Sequence, residues 1–440
     1  MPEIASEISA EVSASAVRID LLLPPLLAAQ RSSWEQGVAA QALLECYQFF
    51  VREDIPKPQQ EAHFLPYLYA FAHESLVRQA SDGRLATLLN GNGASDSGAA
   101  DPASNGEPIY FLLALSERLG HVFPPPASAT NASLAEGVDG MLSYIVDACP
   151  RAPINGDNSD TEDQMKLFSH RTDAVQIWSD TVYMLPPFLV SAAIFHLDHP
   201  HPRYQSITLL HMGLQQILLA AQALQGHSGE WSHIYDLSAK EYNRPAPWGV
   251  GNGWVCCGIV RVLRMLNCRV SEEDADPMSS RALATLLLHH PQLIDKLRRC
   301  LNVLATTMCA CLKRIRLDGL FHDILDNEST FVETNLSQQL SYTLVRLLDL
   351  RLHHRDFIAP MLSSEILEET WRQWERVAET MRTAAVGKTD AWGFVRDVCG
   401  SPSFDKPGTA AEGQAWGIMM ETARAEYFVR RRHFEAICSN

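Results

Sequence analysis

Trp248-Gly-Val-Gly-Asn252-Gly253-Trp254-Val255-Cys256-Cys257-Gly258-Ile259-Val260-Arg261-Val262-Leu263-Arg264-Met265-Leu266 carries both signals on which the fold turns. In its second half Val255, Ile259, Val262, Leu263 and Leu266 recur at the spacing that puts side chains on one face of an α-helix. Its first half is a glycine- and tryptophan-rich junction at which that helix begins. Glycine lets backbone or ligand approach closely, and tryptophan offers a flat apolar face with one N–H donor.

The helical stripe recurs along the chain. Ala39, Leu43, Cys46, Tyr47 and Phe50 form one, Leu210, Leu214, Ile217 and Leu218 another, and Leu336, Leu340, Leu344, Leu347 and Leu348 a third. Trp416, Met419, Met420, Ala423 and Tyr427 close the series. About eleven or twelve helices are expected at this density. Strand signals are confined to short pieces near Gly319–His322 and Trp392–Arg396. Loops rich in small or polar residues at 81–108, 150–172 and 269–280 read as excursions from one fold, because no change in composition divides the chain. The expectation is one large all-α domain.

Composition narrows the function. With 440 residues, 46% hydrophobic and 20% charged, the chain has globular composition. Thirty-six basic against fifty-two acidic side chains give a net charge of −16, which disfavours nucleic acid and anionic membrane surfaces as partners. No apolar run is read as reaching the roughly 18–20 residues of a membrane span. Residues 1–18 lack the basic start and apolar core of a secretory signal, and are expected to form a disordered arm on an intracellular protein. The cysteines show no Cys-x-x-Cys pair and read as buried thiols. His196, His199 and His201 lie in a proline-rich connector and read as loop histidines; no metal site is assigned.

Three further features stand apart from the helical pattern. Trp34-Glu35-Gln36-Gly37 and Glu412-Gly413-Gln414-Ala415-Trp416 echo each other from opposite ends of the chain. Asp180 stands before an apolar, proline-containing stretch in Trp178-Ser-Asp180-Thr-Val-Tyr183-Met184. It has two readings: an N-cap for the next helix, or a carboxyl among aromatics suited to general acid work. Asp101, in Ala100-Asp101-Pro102, is either an Asp-Pro turn or a second carboxylate at the same end of a helical barrel. Paired carboxylates are the usual equipment of glycosidic chemistry.

Together these motifs resemble those of the six-hairpin glycosidases, specifically the unsaturated rhamnogalacturonyl hydrolases of glycoside hydrolase family 105. The resemblance rests on Arg31-Ser-Ser-Trp34-Glu35-Gln36-Gly37, Trp178-Ser-Asp180-Thr-Val-Tyr183-Met184, Trp248-Gly-Val-Gly-Asn252-Gly253-Trp254, Gly319-Leu-Phe-His322 with Val332-Glu333-Thr334, and Glu412-Gly-Gln-Ala-Trp416. It implies an (α/α)6 toroid over residues 19–440 and a substrate pocket at one end. It further implies protonation of the C4=C5 bond of an unsaturated uronic acid, followed by hydration, without metal or organic cofactor. By motif, Asp180 would be the general acid/base and Asp101 the second aspartate. His233, Trp248, Trp254, Trp34, Tyr183, Met184 and Trp416 would contact the sugar. The family's usual arginine is here Val250, and Arg244 stands near enough in sequence to compensate. Two alternatives stay open: the same barrel acting on a non-pectic small molecule such as a secondary metabolite, or a non-catalytic toroid that binds carbohydrate or protein.

Overall fold

The computed structural model describes residues 2–31, 33–51, 64–87, 97–120, 133–154, 166–267, 277–352, 361, 368–400 and 403–438. Parts of the three loop excursions therefore lie outside the described residues.

The helices are α1 (Pro2–Ala29), α2 (Trp34–Phe50), α3 (Phe64–Val77), α4 (Ala100–Ala103), α5 (Gly106–Leu119), α6 (Leu134–Ser143) and α7 (Thr181–Asp198). They continue with α8 (Ser206–Leu224), α9 (Gly249–Met265), α10 (Pro277–His289), α11 (Pro291–Leu312), α12 (Asn335–Leu352), α13 (Glu368–Val386) and α14 (Ala411–Cys438). Six of them, α2, α5, α7, α9, α12 and α14, each pack against the next, and α14 returns to α2, so the ring closes. Around it α3, α6, α8, α11, α13 and α1 form the outer wall. Outer and inner helices alternate along the chain, which is the (α/α)6 toroid.

Most inner helices are buried on nearly every side, with polar as well as apolar residues enclosed. Residues 249–263 of α9 are buried without a break. Packing there is close enough to need glycine: a Cβ on Gly258 would lie 2.3 Å from the carbonyl oxygen of Val182 in α7.

The structure corrects two expectations. Residues 2–29 form a helix in place of a disordered arm over 1–18, and Ile8, Val12, Ile19 and Leu26 are buried. The helix α1 lies against α14 and completes the outer wall. Its apolar residues are spaced at helical intervals between serines and glutamates, a pattern too dilute to stand out in sequence. Second, among the described residues three helices are long and apolar enough to cross a membrane by length and composition: Ile4–Ala29, Thr181–Asp198 and Ser206–Leu224. In α7 most of that apolar surface is inside the ring.

Strands are short and sit at the ends of the helices. The strands β1 (Arg151–Ala152) and β2 (Leu167–Phe168) pair antiparallel, and in a second sheet β3 (Gln176–Trp178) pairs antiparallel with β4 (Ile234–Asp236), which pairs with β5 (Glu241–Arg244). Phe321–His322 pairs with Val332–Glu333 near the first strand expected from sequence. Near the second, Val398–Gly400 pairs with Ser403–Gly408, a hairpin beginning just beyond Trp392–Arg396.

Candidate active site

The inner helices begin at one end of the toroid, and the residues at their starts converge on a cavity of about 360 Å³. Trp34 opens α2, Asp101 lies in the short α4 just before α5, and Asp180 precedes α7. Trp248 precedes α9, and Glu412 is the second residue of α14. All five line the cavity, together with Ser97, His170, Arg171, Trp178, Met184, His233, Ile234, Arg244, Val250, Trp254, Cys399 and Phe404. The two Trp/Gln/Gly echoes from opposite ends of the chain meet here: Trp34 Nε1 donates to Glu412 Oε1 at 2.7 Å.

The small sheet places the chemistry. Trp178 on β3 is in register with Ile234 on β4, so Asp180 and His233 emerge side by side. Backbone bonds lock the neighbours: Ser179 N donates to His233 O and His233 N to Arg244 O, each at 3.0 Å. The carboxylate of Asp180 makes no cap bond to α7. Its Oδ2 is instead 3.2 Å from His233 Nε2, while Oδ1 is buried without a hydrogen-bond partner. Of the two sequence readings of Asp180, the geometry thus favours the one that leaves the carboxyl free for the pocket.

Beyond it, Arg244 Nη1 is 3.1 Å from His233 Nδ1. A guanidinium can only donate, so Nδ1 accepts and Nε2 carries the proton given to Asp180. Burial, chiefly, pulls the His233 pKa down, against the opposing pull of Asp180 and with help from the Arg244 charge. A neutral imidazole fits both hydrogen bonds.

A second aspartate–histidine pair faces the first. His170 Nε2 is 3.3 Å from Asp101 Oδ1, and Ser97 Oγ donates to Asp101 Oδ2 at 3.1 Å. His170 Nδ1 is 3.1 Å from Thr181 Oγ1, which ties this pair to the start of α7. Burial alone would raise the Asp101 carboxyl, but the charge and hydrogen bond of His170 and the Ser97 hydroxyl outweigh it and hold Asp101 below the usual carboxylate range. Trp178 joins the pairs. It stacks on His170 with centroids 4.3 Å apart and meets His233 edge-on at 5.5 Å. His233 in turn lies 4.4 Å from the Trp248 ring, over which the Arg244 guanidinium sits at 5.3 Å.

Asp180, Asp101, His233, Trp248, Trp254, Trp34, Met184 and Arg244 are thus brought together. Tyr183 and Trp416 are not among the lining residues. Both are fully buried behind Trp254, with ring centroids 4.7 Å and 5.1 Å from it, because they fall on inner helix faces below the mouth. Sequence reasoning missed His170, Arg171, Phe404 and Cys399, and had no role for Glu412. His170 precedes a loop and carries no periodic signal; only its stacking on Trp178 marks it. The connector histidines lie elsewhere: His196 is buried in the last turn of α7, His199 pairs with Glu117 at 2.5 Å and His201 with Asp139 at 3.7 Å.

A closed double ring of helices with a pocket at its mouth is the (α/α)6 toroid fold. The model of Glycosyl Hydrolase Family 88 matches residues 154–361, the span that holds Asp180, His233 and Trp248. A possible member of family GH105 from Klebsiella pneumoniae has a similar structure, with TM-score 0.62 and 14% identity, covering 94% of this chain and 93% of that one. A family 105 glycoside hydrolase from C. acetobutylicum matches with TM-score 0.60 and 14% identity, over 93% and 98% of the two chains. A family 88 glycosyl hydrolase from Bacteroides vulgatus matches with TM-score 0.54 and 11% identity, over 97% and 99%. No curated protein sequence matches the chain.

Proposed function

We propose that the chain is a glycoside hydrolase that removes an unsaturated uronyl group from the non-reducing end of an oligosaccharide. The observation that carries this reading is the pairing of two aspartates, each with its own histidine, across one aromatic pocket. Asp180 protonates C4 of the C4=C5 bond from Oδ1, the oxygen left unpartnered when His233 occupies Oδ2. Water adds its hydroxyl at C5 and returns a proton to Asp180. The hemiketal opens at the ring C5–O bond to a ketone, and the hemiacetal left at C1 collapses to an aldehyde, expelling the rest of the oligosaccharide with its hydroxyl restored. Asp101, held as a carboxylate, accepts hydrogen bonds from a sugar hydroxyl or the incoming water. Trp248 and Trp254 stack on the apolar face of the ring.

Recognition of the uronate falls to local charge. Val250 lines the pocket where the family's motif has an arginine, and Arg244 and Arg171 are the cations beside it. Arg244, stacked on Trp248 and bonded to His233, is placed to meet the sugar carboxylate. The free N–H groups at the starts of the inner helices add positive potential at the same end.

The test is to incubate the protein with unsaturated disaccharides from rhamnogalacturonan and from glycosaminoglycan. Loss of the double-bond absorbance is expected for at least one. Val250 also favours a second reading, a less anionic, non-pectic small molecule; full absorbance with both disaccharides would point there.

A further inference from the structure

On the wall shared by α2, α14 and the paired strands Val398–Gly400 and Ser403–Gly408 stands a carboxyl group that the proposed reaction does not use. Glu412 lines the pocket yet is only 3% exposed. Trp34 Nε1 holds its Oε1 at 2.7 Å, and Oε2 is buried without a hydrogen-bond partner. A Cβ on Gly400 would stand 3.3 Å from that oxygen, so the hairpin leaves it room without bonding it. An unpartnered carboxyl oxygen costs free energy in a structural role, and a ligand would relieve that cost.

We propose that Glu412 is a specificity-determining residue of this pocket, which as a neutral acid donates a hydrogen bond from Oε2 to an oxygen of an anionic sugar. This deepens the uronate reading above and rests on it. Burial and the nearby Glu35 push the Glu412 carboxyl up to about 7, against the opposing effects of Trp34 and Arg31. The groups around it are few. From the start of α2 come Arg31 and Glu35, which bond each other at 2.9 Å. From the hairpin comes Cys399, a thiol that burial keeps neutral, with Glu333 behind it accepting from Cys399 N. Asp101 shares the cavity as a carboxylate. Ionised, Glu412 would add a second negative charge to a pocket that must accept an anion. As a neutral acid, it binds the ligand's oxygen and leaves that charge out.

The experiment is calorimetric binding of glucuronate, a saturated probe that is not turned over, to wild type, Glu412→Gln and Glu412→Ala between pH 6 and 8. If the neutral acid alone binds, wild-type affinity falls about tenfold across that range, and binding at pH 8 takes up close to one proton. Glu412→Gln keeps a donor that cannot ionise, so it should bind at pH 6 like wild type but lose this fall and the proton uptake. Glu412→Ala should bind weakly throughout. Identical pH profiles in wild type and Glu412→Gln, or undiminished binding by Glu412→Ala, overturn the proposal. Intact binding and proton uptake without turnover of either unsaturated disaccharide would instead sink the hydrolase reading and leave Glu412 in place.

Discussion

Asp180 shows how one residue takes its orientation from its neighbours. It stands where an N-cap belongs, yet its carboxylate turns from the helix to His233. Asp180→Asn keeps the size and the hydrogen-bonding geometry but removes the transferable proton. Turnover should fall by about 10²- to 10⁴-fold, the usual worth of general acid catalysis, with circular dichroism and thermal unfolding nearly unchanged. Full activity in this variant would remove Asp180 as the acid. Arg244 makes a different prediction. Arg244→Leu should raise KM for an unsaturated uronide far more than it lowers kcat, because it removes a ground-state contact to the carboxylate. An equal loss in kcat would place Arg244 in the chemistry through His233.

At the scale of elements, the mouth depends on how each inner helix is started. Glu333 shows this for α12: its Oε1 accepts from Asn335 N at 2.7 Å and its Oε2 from Leu336 N at 2.9 Å. The same carboxyl group accepts from Cys399 N at 3.2 Å, tying the hairpin of the Glu412 wall to the helix start. Glu333→Ala strands these buried N–H groups and should cost about 1–3 kcal/mol, read as a shift in the urea midpoint. The first helix carries a comparable load. Leu26 on α1 is fully buried against the barrel. Leu26→Ala should cost about 2–5 kcal/mol by the same measurement.

At the scale of the whole molecule, the ring is filled below the pocket by charge as well as by apolar side chains. Arg261 of α9 donates to Glu45 of α2 at 2.7 Å and also reaches Glu107 of α5. Tyr342 and Arg346 of α12 bond the same Glu45, and Arg346 bonds Glu426 of α14. Five of the six inner helices are joined in this network. A buried network adds little net stability over an apolar core, but removing one member leaves charges stranded. Glu45→Ala should therefore cost about 3–5 kcal/mol. Burial would raise the Glu45 carboxyl, but Arg346, Arg264 and Arg261 bring it down from 4.5 to about 2. A carboxyl depressed in the folded state stabilises above its unfolded pKa, and that contribution drains as pH falls from 4.5 to 2. Chemical denaturation across that window should show a shallower loss of stability in Glu45→Gln than in wild type.

Much of this molecule was legible in one dimension. The 3.6-residue stripes at Val255–Leu266 and Leu336–Leu348 mark inner helices because burial on a helix is a local, periodic property. The Trp and Gly junctions mark the helix starts, since those residue types are chosen for close approach and flat apolar surface. The sequence by itself thus determined the helical class, the repeating hairpins and about half the residues of the mouth. Only the tertiary structure decided the pairings. It set His170 on Trp178, turned Asp180 to His233, joined Trp34 to Glu412 across 378 positions and withdrew Tyr183 and Trp416 behind Trp254. It also made α1 a wall and gathered Glu45, Arg261 and Arg346 into one network. The physical reason is that a helix stripe is set by neighbours three and four residues away. A hydrogen bond between groups hundreds of residues apart is set only by how the ring closes.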